Sequence, residues 1–215
     1  VDGALAPDVA VIVDAAPPEP FMLACSPGTL YRVDVDMQTA TEIGPIVSGT
    51  TSYSLYALAG DSSALYGIPS ALNVLLSIDP ATGSVTRSHA LAPKRDYYGL
   101  AYAPPGEVGS QGVWFAATDG AGEPDGGIAH LYTIDPVAGT STIVVPFGGG
   151  LTIAGDLAWV NGKGLYGTFY GPGCSSATCI AKVDTTTGAA MGITTGGPMN
   201  ALSVSGFRGQ LWALV

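Results

Sequence analysis

Few side chains in this sequence could do chemistry. The only histidines are His89 and His130, and a Ser or Cys nucleophile needs such a base beside it. Paired carboxylates could hydrolyse a glycosidic bond, but the acids do not recur at matching places, and Asp156 stands alone where related segments carry Leu55, Gly99 and Ala201. The acid-richest stretch is Asp119-Gly120-Ala121-Gly122-Glu123-Pro124-Asp125-Gly126-Gly127. The loop reads first as a solvated acidic rim, with no cofactor expected; the alternative is that Asp119, Glu123 and Asp125 offer oxygens to calcium, a hard cation, although the spacing is not that of an EF-hand. Cys174 and Cys179 lie close together in a Gly/Ser-rich loop with no histidine near them. That pattern predicts a small-loop disulfide of an oxidising compartment rather than a metal site, and leaves Cys25 as an unpaired, buried thiol. Aspartates also recur at 34, 79, 135 and 184, each closing an apolar run and opening a turn.

The elements that position these residues follow from composition. Of 215 residues, 31 are Gly and 16 are Pro, too many interruptions for a helical bundle. Seven basic residues against 17 acidic ones give a net charge of −10, which leaves no basic footprint for nucleic acid or for an anionic membrane surface. Gly, Pro, Ser and Thr interrupt every uncharged stretch, so no transmembrane segment is expected. Residues 1–20 are rich in Ala, Pro and acid, without the basic start and unbroken apolar run of a signal peptide. They read as a flexible acidic linker before a domain at 21–215.

Within that domain three short phrases repeat in the same order. One is Leu30-Tyr31-Arg32-Val33-Asp34, Leu75-Leu76-Ser77-Ile78-Asp79, Leu131-Tyr132-Thr133-Ile134-Asp135 and Ile180-Ala181-Lys182-Val183-Asp184. A second is Leu65-Tyr66-Gly67, Trp114-Phe115-Ala116, Leu165-Tyr166-Gly167 and Leu211-Trp212-Ala213. The third is Leu55-Tyr56-Ala57-Leu58, Gly99-Leu100-Ala101-Tyr102, Asp156-Leu157-Ala158-Trp159 and Ala201-Leu202-Ser203-Val204. Each is a short apolar or alternating run bounded by turn residues, which is the signature of a strand. The turns explain the aspartates: Asp79-Pro80-Ala81-Thr82-Gly83 and Asp135-Pro136-Val137-Ala138-Gly139 combine a side-chain acceptor, a fixed φ and a glycine. The turn after Asp34 lacks both Pro and Gly and reads as two residues longer.

Four strands per unit and a repeat near 50 residues predict an all-β, four-bladed β-propeller of antiparallel strands. Three blades are continuous, and the fourth is shared between the termini. Its closure is expected from pairing of residues 210–215 with the strand at 29–34.

The Leu-Tyr-x-Ile-Asp-Pro-x-Thr-Gly phrase followed by Leu-Tyr-Gly strands resembles the repeats of uncharacterised secreted bacterial propellers, and is distantly similar to quinoprotein-like and NHL-like repeats. Hemopexin-like proteins share the four-bladed architecture only. The resemblance spans about residues 27–215 and implies a fold and a secreted or periplasmic location, with a possible tether upstream of Val1. It implies no activity: quinone-dependent dehydrogenases have more blades and repeated Trp docking motifs, which these repeats lack.

With the four strands of a unit called A to D in chain order, a propeller gathers its B–C and D–A connections on one face, where ligands usually bind. Here that face carries Tyr53, Arg95, Asp96, Tyr97, Tyr170 and Asn200, whose aromatic and charged side chains suit a protein or glycan ligand. The expected function is therefore a monomeric, non-catalytic binding or scaffolding propeller. The alternative is a hydrolase or lyase using a carboxylate or a metal at the axial mouth.

Overall fold

The computed structural model describes residues 21–26, 28–61, 64–70, 72–174, 178–194 and 203–214; the acidic segment 1–20 and Asn200 lie outside them. Among the described residues no helix is long and apolar enough to cross a membrane. Strands β1 (Met22–Ser26), β2 (Thr29–Asp34) and β3 (Thr39–Pro45) form a three-stranded antiparallel sheet. A small hairpin, β4 (Val47–Ser48) and β5 (Thr51–Ser52), leads to the first four-stranded blade. That blade is β6 (Leu55–Gly60), β7 (Leu65–Pro69), β8 (Val74–Ile78) and β9 (Val85–Ala90). The second is β10 (Tyr97–Ala103), β11 (Val113–Thr118), β12 (His130–Asp135) and β13 (Thr140–Pro146). The third is β14 (Thr152–Val160), β15 (Gly164–Tyr170), β16 (Cys179–Val183) and β17 (Ala190–Thr194). The hairpin β18 (Ser203–Phe207) and β19 (Gln210–Leu214) follows.

The molecule is a four-bladed β-propeller. Its inner strands pack in series, β6 on β10, β10 on β14 and β14 on β18, while β14 also reaches β6 across the axis. Apolar side chains fill the seams between blades. Ala57, Ile68 and Leu75 of the first blade meet Leu100, Trp114 and Tyr132 of the second. Phe115 and Leu131 meet Leu157, Leu165 and Phe169 across the next seam, and Leu30 and Ile46 meet Leu65, Leu76 and Ile78 across a third. Burial of these side chains, at roughly 25 cal/mol per Å² of apolar surface, is what holds the blades together. A small residue lets two blades approach: a Cβ on Gly99 of β10 would lie 2.8 Å from Leu157 Cγ of β14.

The repeated aspartates form turns. Asp79 Oδ1 accepts the Ala81 N–H at 2.8 Å and Asp135 Oδ1 accepts those of Val137 and Ala138 at 2.8 and 2.9 Å. Asp184 and Asp34 do the same with Thr186 and Thr187, and with Asp36 and Met37. These N–H donors hold Asp135 and Asp184 below the usual carboxylate range. The turn after Asp34 is not longer than the others. Asp34 pairs with Thr39 as Asp135 pairs with Thr140, and Gln38 adopts the positive φ that Gly139 takes in the later turn.

The expected rung between 210–215 and 29–34 is not the one that forms. Both edges of β2 are taken, one by β3 and the other by β1. The physical reason is local: β1 is two residues from β2, so their hairpin closes at far less entropic cost than a pairing between the chain ends. Both termini still fill the fourth position in the ring, β18 against β14 and β1 against β6. A salt bridge, Arg208 Nη1 to Asp36 Oδ2 at 2.8 Å, joins the β18–β19 turn to the β2–β3 turn.

Candidate functional site

On the face of the B–C and D–A connections the sequence-predicted residues separate into three environments. Tyr97 is buried, only 3% exposed. Its hydroxyl shares a hydrogen bond with Ser141 Oγ and donates to the Pro93 carbonyl, and its ring meets Tyr132 edge-on at 5.5 Å. As the first residue of β10 it points into the seam, so it presents no surface to a ligand, contrary to the expectation. Arg95, largely buried, turns inward and pairs through Nε with Glu123 Oε2 at 3.2 Å. Tyr53 is half-buried against the Leu30–Ile46 cluster. Asp96 and Tyr170 are exposed, on the second and third blades.

The acidic loop divides in the same way. The Glu123 side chain is fully buried; Oε1 accepts from Thr118 Oγ1 and Oε2 from the Tyr132 hydroxyl, both at 2.7 Å. Burial, together with the Glu123 carboxylate, pushes the Tyr132 phenol up. Asp119 Oδ1 accepts the Ala121 N–H at 2.8 Å, and Asp125 Oδ2 meets His130 Nε2 at 3.1 Å. The three carboxylates thus do not converge on one point: Asp119 serves its own turn, Glu123 lies within the blade beside Thr118, Tyr132 and Arg95, and Asp125 reaches His130 from outside. Among the described residues no cluster of three His, Cys, Asp or Glu side chains could hold a metal. With both Glu123 oxygens occupied and a guanidinium beside them, the group Arg95–Glu123–Tyr132–His130–Asp125 clamps the loop onto the blade. Cys174 and Cys179 form the expected disulfide, and Cys25 is free and half-buried.

Sequence reasoning missed two features at the axis. The first is Asp156, 4% exposed. Its Oδ1 accepts the N–H of Leu157 at 2.8 Å and that of Leu100, in the neighbouring blade, at 3.1 Å. The Leu58 N–H, from the first blade, also bonds to this carboxyl. One carboxyl group therefore joins the inner strands of three blades. Burial pushes it well above the ordinary carboxylate range despite those donors. Desolvation of the half-buried Cys25 thiol, together with the Asp156 charge, pushes it up to about 12, which makes it a poor nucleophile. The only signal for Asp156 in the sequence was its singularity at that repeat position.

The second feature is a cavity of about 880 Å³ on the axis. Leu58, Leu100 and Leu157 line it, the same residues whose N–H groups face Asp156. The aromatic rings of Phe21, Tyr102, Trp159 and Phe207 also line it. Its remaining lining includes Asp61, Ala64, Pro104, Pro105 and Asn161, all from A–B turns. The cavity therefore lies on the A–B turn side, opposite the face of the B–C and D–A connections where a ligand was expected. Tyr102 is held by Trp114 at 4.6 Å and by a hydrogen bond with Asp61, and burial with the nearby carboxylate raises its phenol.

No protein-family model matches the chain, and no curated protein does. Among solved structures it is similar to the computationally designed Ika4 protein (12% identity, TM-score 0.41, covering 81% of this chain and 92% of that one). It is also similar to YCF48 bound to D1 peptide (10%, TM-score 0.46, covering 88% and 59%). A third likeness is to the Dos1 propeller (15%, TM-score 0.44, covering 83% and 45%). The chain spans about half the length of the last two.

Proposed function

We propose that this chain is a non-catalytic binding propeller that receives its ligand in the axial cavity, from the side of the A–B turns. The observation that carries the reading is the cavity itself. Its volume of about 880 Å³ falls in the range of ligand pockets, roughly 300–1,000 Å³, and its walls offer aliphatic and aromatic side chains beside a comparable share of polar surface. The axial carboxyl is committed to three backbone N–H groups, and Glu123, the buried acid of the loop, to its own clamp, so neither is poised for hydrolysis. The apolar lining favours a protein ligand that inserts aliphatic or aromatic side chains. The Cys174–Cys179 disulfide and the low charge fit an extracellular setting.

The test is selection of displayed peptides against the intact chain, followed by affinity measurement on two variants. Ser205→Trp places a large side chain in the cavity wall, whereas Tyr170→Ala alters the opposite face. Loss of binding in Ser205→Trp with retention in Tyr170→Ala is the expected result. The reverse pattern refutes the axial site, and selective capture of oligosaccharides would replace the protein ligand with a glycan.

A further inference from the structure

The three continuous blades pair their second and third strands in one register. Leu65 opposes Ile78, Tyr66 opposes Ser77 and Gly67 opposes Leu76. Trp114, Phe115 and Ala116 oppose Ile134, Thr133 and Tyr132. Leu165, Tyr166 and Gly167 oppose Val183, Lys182 and Ala181. The pattern is large, large, small against the strand that ends in the turn aspartate. By the same repeat, Leu211, Trp212 and Ala213 of β19 are the counterparts that would oppose Val33, Arg32 and Tyr31 of β2. Those three positions are instead opposed by Met22, Leu23 and Ala24 of β1. Met-Leu-Ala repeats the large, large, small pattern in the identical register, so β1 imitates the strand whose place it holds.

Burial bears the traces of this substitution. Leu65, Trp114 and Leu165, the residues equivalent to Leu211, are 5%, 8% and 0% exposed. Met22, in that seat, is 7% exposed. Leu211 itself is only half-buried, and Trp212 is 36% exposed. The hairpin β18–β19 nonetheless keeps the internal register of the other A–B pairs, with Val204 opposite Ala213 as Leu58 is opposite Gly67 and Leu157 opposite Gly167. It is also held beside β2 by the Arg208–Asp36 salt bridge.

We infer that the edge of β2 now held by β1 is a strand-receiving site at which β1 (Met22–Ser26) and β19 (Gln210–Leu214) exchange. Entry of β19 completes the fourth blade in the register of the other three and releases β1 from β2. The kind of partner the edge accepts is thereby defined: an extended segment with a large, large, small pattern, docking antiparallel by backbone hydrogen bonds. The competition also sets the accessibility of Phe21, Met22 and Leu23, which line the axial cavity.

Disulfide trapping in the full chain tests this, because directly opposed residues of an antiparallel pair stand within bridging distance. In a Cys25→Ser background, Leu23→Cys with Arg32→Cys reports the β1 state, and Trp212→Cys with Arg32→Cys reports the β19 state. Both pairs should oxidise within one molecule. Adding Leu23→Pro, which removes a ladder N–H from β1, should raise the yield of the 32–212 link several-fold. Should that proline unfold the chain, a synthetic peptide of residues 20–28 added to the pair at positions 32 and 212 gives the second reading, and must suppress the link. No 32–212 link in any background, a link only between two molecules, or a yield indifferent to the peptide would each overturn the exchange.

Discussion

Asp156 and Leu100 belong to different blades, yet the Asp156 carboxylate accepts the Leu100 backbone N–H at 3.1 Å. With the N–H groups of Leu157 and Leu58 bonded to the same carboxyl, this is a polar tie at the centre of an otherwise apolar ring. Removing it leaves buried donors unsatisfied, each costing about 1–3 kcal/mol. Asp156→Ala should therefore lower stability by about 3 kcal/mol or more, measured by chemical denaturation. A change under about 0.5 kcal/mol would show that the tie contributes nothing.

The pH dependence of that tie has a definite sign. Burial raises the Asp156 pKa in the folded state, so the folded chain holds this proton more tightly than the unfolded one. Its contribution to stability is full below the ordinary carboxylate value, about 4, and is lost as pH rises from there through the raised folded value. Asp156→Asn cannot titrate, so the stability difference between Asn variant and parent should move in favour of Asn as pH rises above about 4. Asp135 and Asp184, held low by their turns, act oppositely: their contribution is present above about 4 and fades as pH falls. A pH-independent difference between Asp156→Asn and the parent would contradict the assignment.

Tyr97 and the Glu123 clamp should matter to stability rather than to binding. Tyr97→Ala empties a seam position and should cost about 3 kcal/mol or more. Glu123→Ala strands the buried Arg95 guanidinium and the Tyr132 hydroxyl, and should cost about 3 kcal/mol. It should also render the 119–129 loop sensitive to limited proteolysis. Equal protease resistance of parent and variant would argue against the clamp.

Asp79→Ala should be milder, about 1 kcal/mol, because its turn is solvent-accessible and loses one side-chain hydrogen bond. Reduction of the Cys174–Cys179 disulfide, which closes a loop with a sequence separation of 5, should cost about 2 kcal/mol. A reduced chain that melts at the same temperature would show that the bridge constrains nothing.

Blade number, strand order and the aspartate turns were legible in the sequence because each depends on short-range chemistry. Alternation marks strands, and Asp with Pro or Gly marks a turn whichever blade holds it. Gln38 shows the margin of such reasoning, since a non-glycine residue can fill the positive-φ seat and keep the turn short. The site was less legible, because it depends on which way a side chain points. Tyr97 and Arg95 have the composition of a binding patch, but Tyr97 at the start of β10 and Arg95 just before it turn inward, where Ser141 and Glu123 meet them. The closing strand was misread because β1 and β19 carry the same residue pattern, and only chain proximity decides between them. The axial cavity has no motif at all; it arises where Leu58, Leu100 and Leu157 come together from three distant parts of the chain.

The central claim is that ligand enters the axial cavity, and the three tryptophans give it a direct readout. Trp159 lines the cavity, whereas Trp114 is buried in the seam with Tyr66 and Trp212 lies on β19. With 5-fluorotryptophan incorporated, fluorine NMR during titration with a selected peptide should shift the Trp159 resonance in a saturable way and leave Trp114 in place. A saturable titration in which Trp159 stays unmoved would contradict the axial site.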